Sequence, residues 1–142
     1  MARRRRELLD KGLPYLVAEI DGVVIGYAYA GLFRARPAYG WTCENTVYVD
    51  PAVQRRGVAL GLMEKIIEIC TRIGFRQMMG VIAVAGDPDK SPSVRLHRAL
   101  GFEDVGCNKS VGYKFDTWLD TVHLQLPLGE GDKAPPGKRP GT

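Results

Sequence analysis

The sequence predicts a single mixed α/β domain, and three observations carry that expectation. Two β-rich runs flank Asp21-Gly22, a strong short hairpin signal; an amphipathic helix spans 57–73; and a continuous apolar run of strand length, 77–85, follows it. In order these give a hairpin and strand, a helix, a strand, a helix and two last strands, which is a mixed, mostly antiparallel sheet with helices on its faces. With 142 residues, 45% hydrophobic and 25% charged, the chain suits one core.

Each element has a local reason. Residues 2–11 read as the end of a helix, stopped at Gly12 and followed by Pro14. Tyr15 to Glu19 and Val23 to Phe33 are the hairpin strands. Pro37-Ala38-Tyr39-Gly40 breaks the chain, and Trp41 to Val49 is the next strand. In the helix, Leu60, Met63, Ile66, Ile67 and Cys70 recur at three- and four-residue steps, one buried face that ends at Gly74. The run 77–85 has no alternation, so it reads as a central strand covered on both faces. A loop over 86–92 leads to Ser93, read as the N-cap of a helix Val94 to Leu100. Phe102 to Cys107 and Thr117 to Leu126 are the last strands, with 111–114 read as a loop. The domain is placed at 1–127. The tail 128–142, with four glycines and three prolines and no apolar period, is expected to be disordered.

Composition narrows the function classes. The net charge of +4 gathers at Arg3 to Arg6, at the pairs Arg34/Arg36 and Arg55/Arg56, and at Lys133, Lys138 and Arg139. These clusters lack an aromatic platform or recognition-helix pattern, so nucleic acid is not the expected partner, and Arg3 to Arg6 reads as a solvated helix face. No apolar run can span a bilayer and the N-terminus has no signal region, so a cytoplasmic protein without a membrane partner is expected. Cys43, Cys70 and Cys107 are odd in number, far apart and without nearby histidines, which argues against disulfides or a metal site and for buried or half-buried thiols.

The most informative stretch is 47–62. A Val-Tyr-Val strand end, Val47-Tyr48-Val49, runs through a basic turn, Arg55-Arg56-Gly57, into the helix beginning Val58-Ala59-Leu60. Gly57 allows close approach of backbone amides, helix-start N–H groups have no internal partner, and the macrodipole favours an anion there. The spacing is neither a P-loop nor a dinucleotide fingerprint. By itself it also fits an ordinary strand-to-helix turn on a solvated basic face.

Gln54-x-x-Gly57-x-Ala59 resembles the pyrophosphate-binding signature of the GNAT superfamily of N-acetyltransferases. Tyr29-Ala30-Gly31, Arg36-Pro37-Ala38-Tyr39, Trp41-Thr42-x-Glu44-x-Thr46-Val47-Tyr48-Val49, Ser93-Val94-Arg95-Leu96-His97, Gly101-Phe102 and Val111-Gly112-Tyr113-Lys114 with Trp118 and Asp120 are similar to its phosphinothricin and methionine sulfoximine acetyltransferase branch. The resemblance implies the GNAT fold, acetyl-CoA as acetyl donor, a small-molecule amine as acceptor (the α-amino group of phosphinothricin, methionine sulfoximine or methionine sulfone) and a homodimer. It implies pyrophosphate on the amides and side chains from Arg55 to Leu60, and the pantetheine arm and acetyl carbonyl on strand amides from Val47 to Val49.

Acetyl transfer to an amine requires a deprotonated amine, support for the oxyanion and a proton for the leaving thiolate. The resemblance makes Glu44 the base, and burial among apolar neighbours is expected to raise its pKa. It makes His97 the second proton carrier, in reach of neutral pH, although a histidine satisfied by a backbone carbonyl fits the same position. Arg34 and Arg36 suit the acceptor's oxyanions through bidentate guanidinium contacts, with Tyr39 and Trp41 as pocket walls. Two departures stand out. The family's first strand and helix have no counterpart, so an N-terminally truncated fold with an open edge is expected. Lys90 occupies the place of an asparagine that bonds the coenzyme arm. A noncatalytic or weakly active CoA-binding remnant is the alternative, and an acetyltransferase for protein amines a more distant one.

Overall fold

The computed structural model describes residues 2–142, with the side chains of Gln54, Arg55 and Arg56 outside the described set. Six strands and three α-helices are found among the described residues, in two compact units: the chain up to Met78 with Pro127–Thr142, and Met79–Leu126.

The first unit is built on an antiparallel sheet of β1 (Tyr15–Ile20), β2 (Val23–Leu32) and β3 (Thr42–Val49). Asp21 and Gly22 both have positive φ, 51° and 79°, so the two-residue turn has the twist that a tight hairpin needs. A bulge between Ala18 and Glu19 leaves Ile25 as the extra residue on β2, and Ile25 is buried. One sheet face carries Ala28, Ala30, Cys43 and Val49 against α2 (Val58–Ile73), which buries Leu62, Met63, Ile66 and Cys70. The two alanines are fully buried, and their small side chains let the helix lie close. Gly74, at φ 109°, ends α2 by donating to Cys70 and Thr71 carbonyls. The other face carries Tyr15, Tyr27 and Tyr29, with α1 (Ala2–Asp10) laid over its end through Leu8 beside Gly31. Helices therefore cover both faces of this sheet, as predicted. No residue of α1 is buried, so the Arg3 to Arg6 run is a solvated face.

The tail corrects the sequence expectation. Residues 128–142 are packed in the first unit: Leu128 is buried, its N–H donates to the Arg76 carbonyl, and the Arg76 guanidinium donates to the carbonyls of Gly131, Ala134 and Pro135. Backbone carbonyls supply the holding contacts, so no apolar period is needed.

The second unit takes most of β4 (Gln77–Val84), then α3 (Pro92–Ala99), β5 (Glu103–Lys114) and β6 (Thr117–Pro127), in spatial order β4-β6-β5. Met79, Val84, Val94, Phe102, Val122 and Leu124 form its core with His97. Two local expectations are corrected. The N-cap of α3 is Ser91, not Ser93: its hydroxyl accepts from the Val94 N–H, and Pro92 takes the first helical position, where its fixed φ fits and no N–H is required. Residues 111–114 are strand rather than loop, because a second irregularity at Ser110, whose N–H is taken by Asp120, restores the pairing from Gly112 to Lys114. Cys107 is exposed, whereas Cys43 and Cys70 are buried.

Candidate active site

Glu44 sits on β3 opposite Gly31 of β2, and strand alternation puts it on the tyrosine face of the first unit, between buried Cys43 and Asn45 that point the other way. It is half-buried, with Thr42 and Thr46 as its neighbours along β3 on that face. Beneath it the Cys43 thiol is held well above its usual pKa, first by a hydrogen bond with Cys70 and then by burial. Tyr15, Tyr27, Tyr29 and Tyr48 stack in a row beside Glu44, with centroid separations of 5.3 Å for Tyr15–Tyr29 and 5.5 Å for Tyr27–Tyr48. Arg4 of α1 donates to the Tyr29 hydroxyl at 3.0 Å. This row went unnoticed in the sequence, although its signal is there: Tyr27 and Tyr29 at strand period two.

From Val47 and the half-exposed Tyr48 the strand ends at buried Val49. Asp50 then accepts from the Ala52 N–H at 3.0 Å, and Pro51 opens a 3₁₀ turn, Pro51–Arg56. That turn delivers the chain to Gly57 at φ 71°, ψ 16°, the left-handed N-cap of α2. No side chain caps the helix, and no acid stands in its first turn. Among the described residues nothing lies within 4 Å of where a Gly57 Cβ would be, so the glycine answers to backbone conformation, with open space at the start of the helix. Uncapped helix-start amides beside open space fit a pyrophosphate. The Arg55 and Arg56 side chains lie outside the described residues.

In the 33–41 segment the Arg34 guanidinium lies over two rings, 5.0 Å from the Phe33 centroid and 5.7 Å from that of Tyr39. Arg36 is exposed and precedes a 3₁₀ turn, Pro37–Tyr39, which its carbonyl closes by accepting from the Tyr39 N–H. Arg34 and Tyr39 are thus brought together. Trp41 is turned to the tail: its indole N–H donates to the Gly137 carbonyl at 3.1 Å, and it lines a cleft of about 520 Å³ with Thr42, Arg76, Gln77 and residues 131–136.

In the second unit, Lys90 is exposed at the end of a short turn, Pro88–Lys90. Arg98 fixes that turn by donating to Asp89 at 2.6 Å and to both Asp104 oxygens at 2.8 and 2.9 Å. Its role was not legible, since Asp104 lies on another element. His97 is almost fully buried, packs edge-on to Phe102 and has Nδ1 2.7 Å from the Ser93 carbonyl. A carbonyl oxygen only accepts, so Nδ1 carries the proton. Burial pushes the His97 pKa down, against the smaller opposing effect of that hydrogen bond, so at neutral pH the imidazole is uncharged. Among the described residues no group of metal-ligating side chains occurs, and no helix is long and apolar enough to cross a membrane.

Residues 1–102 match the model of the acetyltransferase (GNAT) family. The chain is 46% identical to a phosphinothricin N-acetyltransferase of Alcaligenes faecalis over 136 residues, 96% of this chain and 68% of that protein. It is 39% identical to an L-methionine sulfoximine/L-methionine sulfone acetyltransferase of Salmonella typhimurium, over 88% of this chain and 70% of that one. A crystal structure of a phosphinothricin acetyltransferase from Sinorhizobium meliloti in complex with AcCoA superposes with a TM-score of 0.89 at 42% identity, covering 97% of this chain and 73% of that one. With the family model matched over most of its length and a strand, turn and helix start of the expected geometry, the chain belongs to the GNAT acetyltransferase family.

Proposed function

We propose that this protein transfers an acetyl group from acetyl-CoA directly to the α-amino group of a small amino acid or analogue of the phosphinothricin, methionine sulfoximine or methionine sulfone type. The observation that carries this reading is the continuous path in the first unit from Glu44 along β3 to the uncapped, left-handed Gly57 start of α2. Acetyl-CoA supplies an acetyl thioester. The amides and side chains of residues 55–60 hold its pyrophosphate, strand amides of Val47 to Val49 take the arm, and Lys90 adds a cation for the coenzyme.

Glu44 takes the proton of the attacking amine, directly or through water, as the N–C bond forms. The C–S bond then breaks and the thiolate accepts a proton. His97, neutral with Nδ1–H held by Ser93, is assigned as the relay, since it gains and returns a proton at its other ring nitrogen. Arg34 and Arg36 receive the acceptor's carboxylate and its phosphinate, sulfoximine or sulfone oxygens, with Tyr39 and Trp41 as walls. A panel of such analogues with acetyl-CoA, followed by free-thiol release, tests the reading; silence across the panel would refute it.

We assign the protein to the cytoplasm and to a homodimer. Val111, Tyr113, Phe115 and Trp118 are exposed apolar residues near the β5–β6 hairpin tip, Phe115 at 87%, with the Tyr113 and Trp118 rings 5.0 Å apart. Light scattering should give twice 15.7 kDa. A monomer across a dilution series would contradict it.

A further inference from the structure

We infer that residues 130–140 form a strap, pinned by Arg76, that positions the Tyr39–Trp41 wall for the amine acceptor. The inference rests on the assignment of 34–41 to acceptor binding. Arg76 donates from Nη1 to the carbonyls of Gly131 and Ala134 at 2.8 and 3.0 Å and from Nη2 to that of Pro135 at 3.0 Å, with Glu130 3.8 Å from the same nitrogen. A planar guanidinium meets three carbonyls of one loop in a way that a lysine cannot.

Downstream of that clamp the strap touches the wall twice. The Gly137 carbonyl accepts the Trp41 indole N–H, and the aliphatic stem of Arg139 lies where a Cβ at Gly40 would be, its Cδ only 2.6 Å from that point. Gly40 is buried and could not be alanine without moving Arg139. From the other side, the Trp41 carbonyl accepts the Arg76 N–H at 2.8 Å. Trp41 is thereby held at both its backbone and its indole, and Arg76 takes part in both restraints. Arg76 is a positioning residue, acting through the strap on the wall.

The test uses a Trp118→Phe background, which leaves Trp41 as the sole tryptophan of the chain's two. Adding Arg76→Ala should shift Trp41 emission to the red and raise KM for the amine about tenfold, the scale of a lost charge-assisted hydrogen bond and the ordering it supports. KM for acetyl-CoA should stay at the parent value. Should Arg76→Ala fail to fold, a chain ended after Gly131 carries the same two readouts. An unshifted emission overturns the inference, as does a red shift with unchanged amine KM or a parallel rise of both KM values; in each case the assignment of the acceptor site stands. A parent protein that releases no thiol with any amino-acid analogue sinks that assignment, and the strap's role with it.

Discussion

The two faces of the β1–β3 sheet are built from the same three strands but do different work. On the α2 side, Ala28, Ala30, Cys43, Met63, Ile66 and Cys70 are fully buried, and close packing leaves no room for a polar group to move. On the other side, Glu44 is half-buried on the face of the stacked tyrosines, one of which, Tyr29, accepts from Arg4, with hydroxyls and a carboxylate on that face. Alternation along β3 separates the two: Cys43 enters the dry layer and Glu44 leaves it. The difference teaches that the residue proposed as the base stands where burial is incomplete, with a fully buried residue next to it in the chain.

That contrast can be broken by substitution. Glu44→Gln should leave the folded state and acetyl-CoA affinity unchanged while lowering kcat by about 10²–10⁴-fold, the loss expected for a general base. Steady-state kinetics alongside a thermal melt would show it, and parent turnover would remove Glu44 from the chemistry. On the opposite face, Ile66→Ala should cost about 2–5 kcal/mol of stability through the cavity it leaves, read by urea denaturation, with the turnover of the folded fraction retained.

At the sheet's end, Gly57→Val forces a β-branched residue into positive φ, a strain of about 1–3 kcal/mol. It also places side-chain bulk over the helix-start amides, so calorimetry should show weaker acetyl-CoA binding. Parent affinity with an intact fold would contradict the cradle. The smallest effect on stability belongs to His97. Its folded pKa lies below the unfolded value of about 6.5, so its contribution is fully present above that pH and is lost as pH falls through the folded pKa. His97→Gln should flatten the decline of the urea midpoint as pH falls below about 6.5; an unchanged slope would mean that the histidine is not the titrating group.

Local signals carried much of this architecture. Asp21-Gly22 gave the hairpin because two consecutive positive φ angles demand such residues, and the spacing of Met63, Ile66 and Cys70 gave the buried face of α2. The placement of Glu44 on a strand and of Gly57 at a helix start was legible for a related reason, since strand, turn and helix follow one another within one stretch. The tail was misread because Arg76 bonds to carbonyls 55, 58 and 59 residues away, and a backbone carbonyl has no sequence signature. Arg98 was missed likewise. Ser93 reads as the cap of α3 from its place just before Val94, but Pro92 opens the helix and so moves the cap to Ser91. For His97 the sequence left two roles open, and the short contact to the Ser93 carbonyl fixes the tautomer on which either must rest.

The central claim is acetyl transfer to an α-amine, and lysine tests it most directly because one molecule offers both an α- and an ε-amino group. Incubation with acetyl-CoA followed by product NMR should show the acetyl group on the α-nitrogen, with one free thiol released per acetyl transferred. Acetylation at the ε-nitrogen, or thiol release with no acetylated amino acid, would contradict the account.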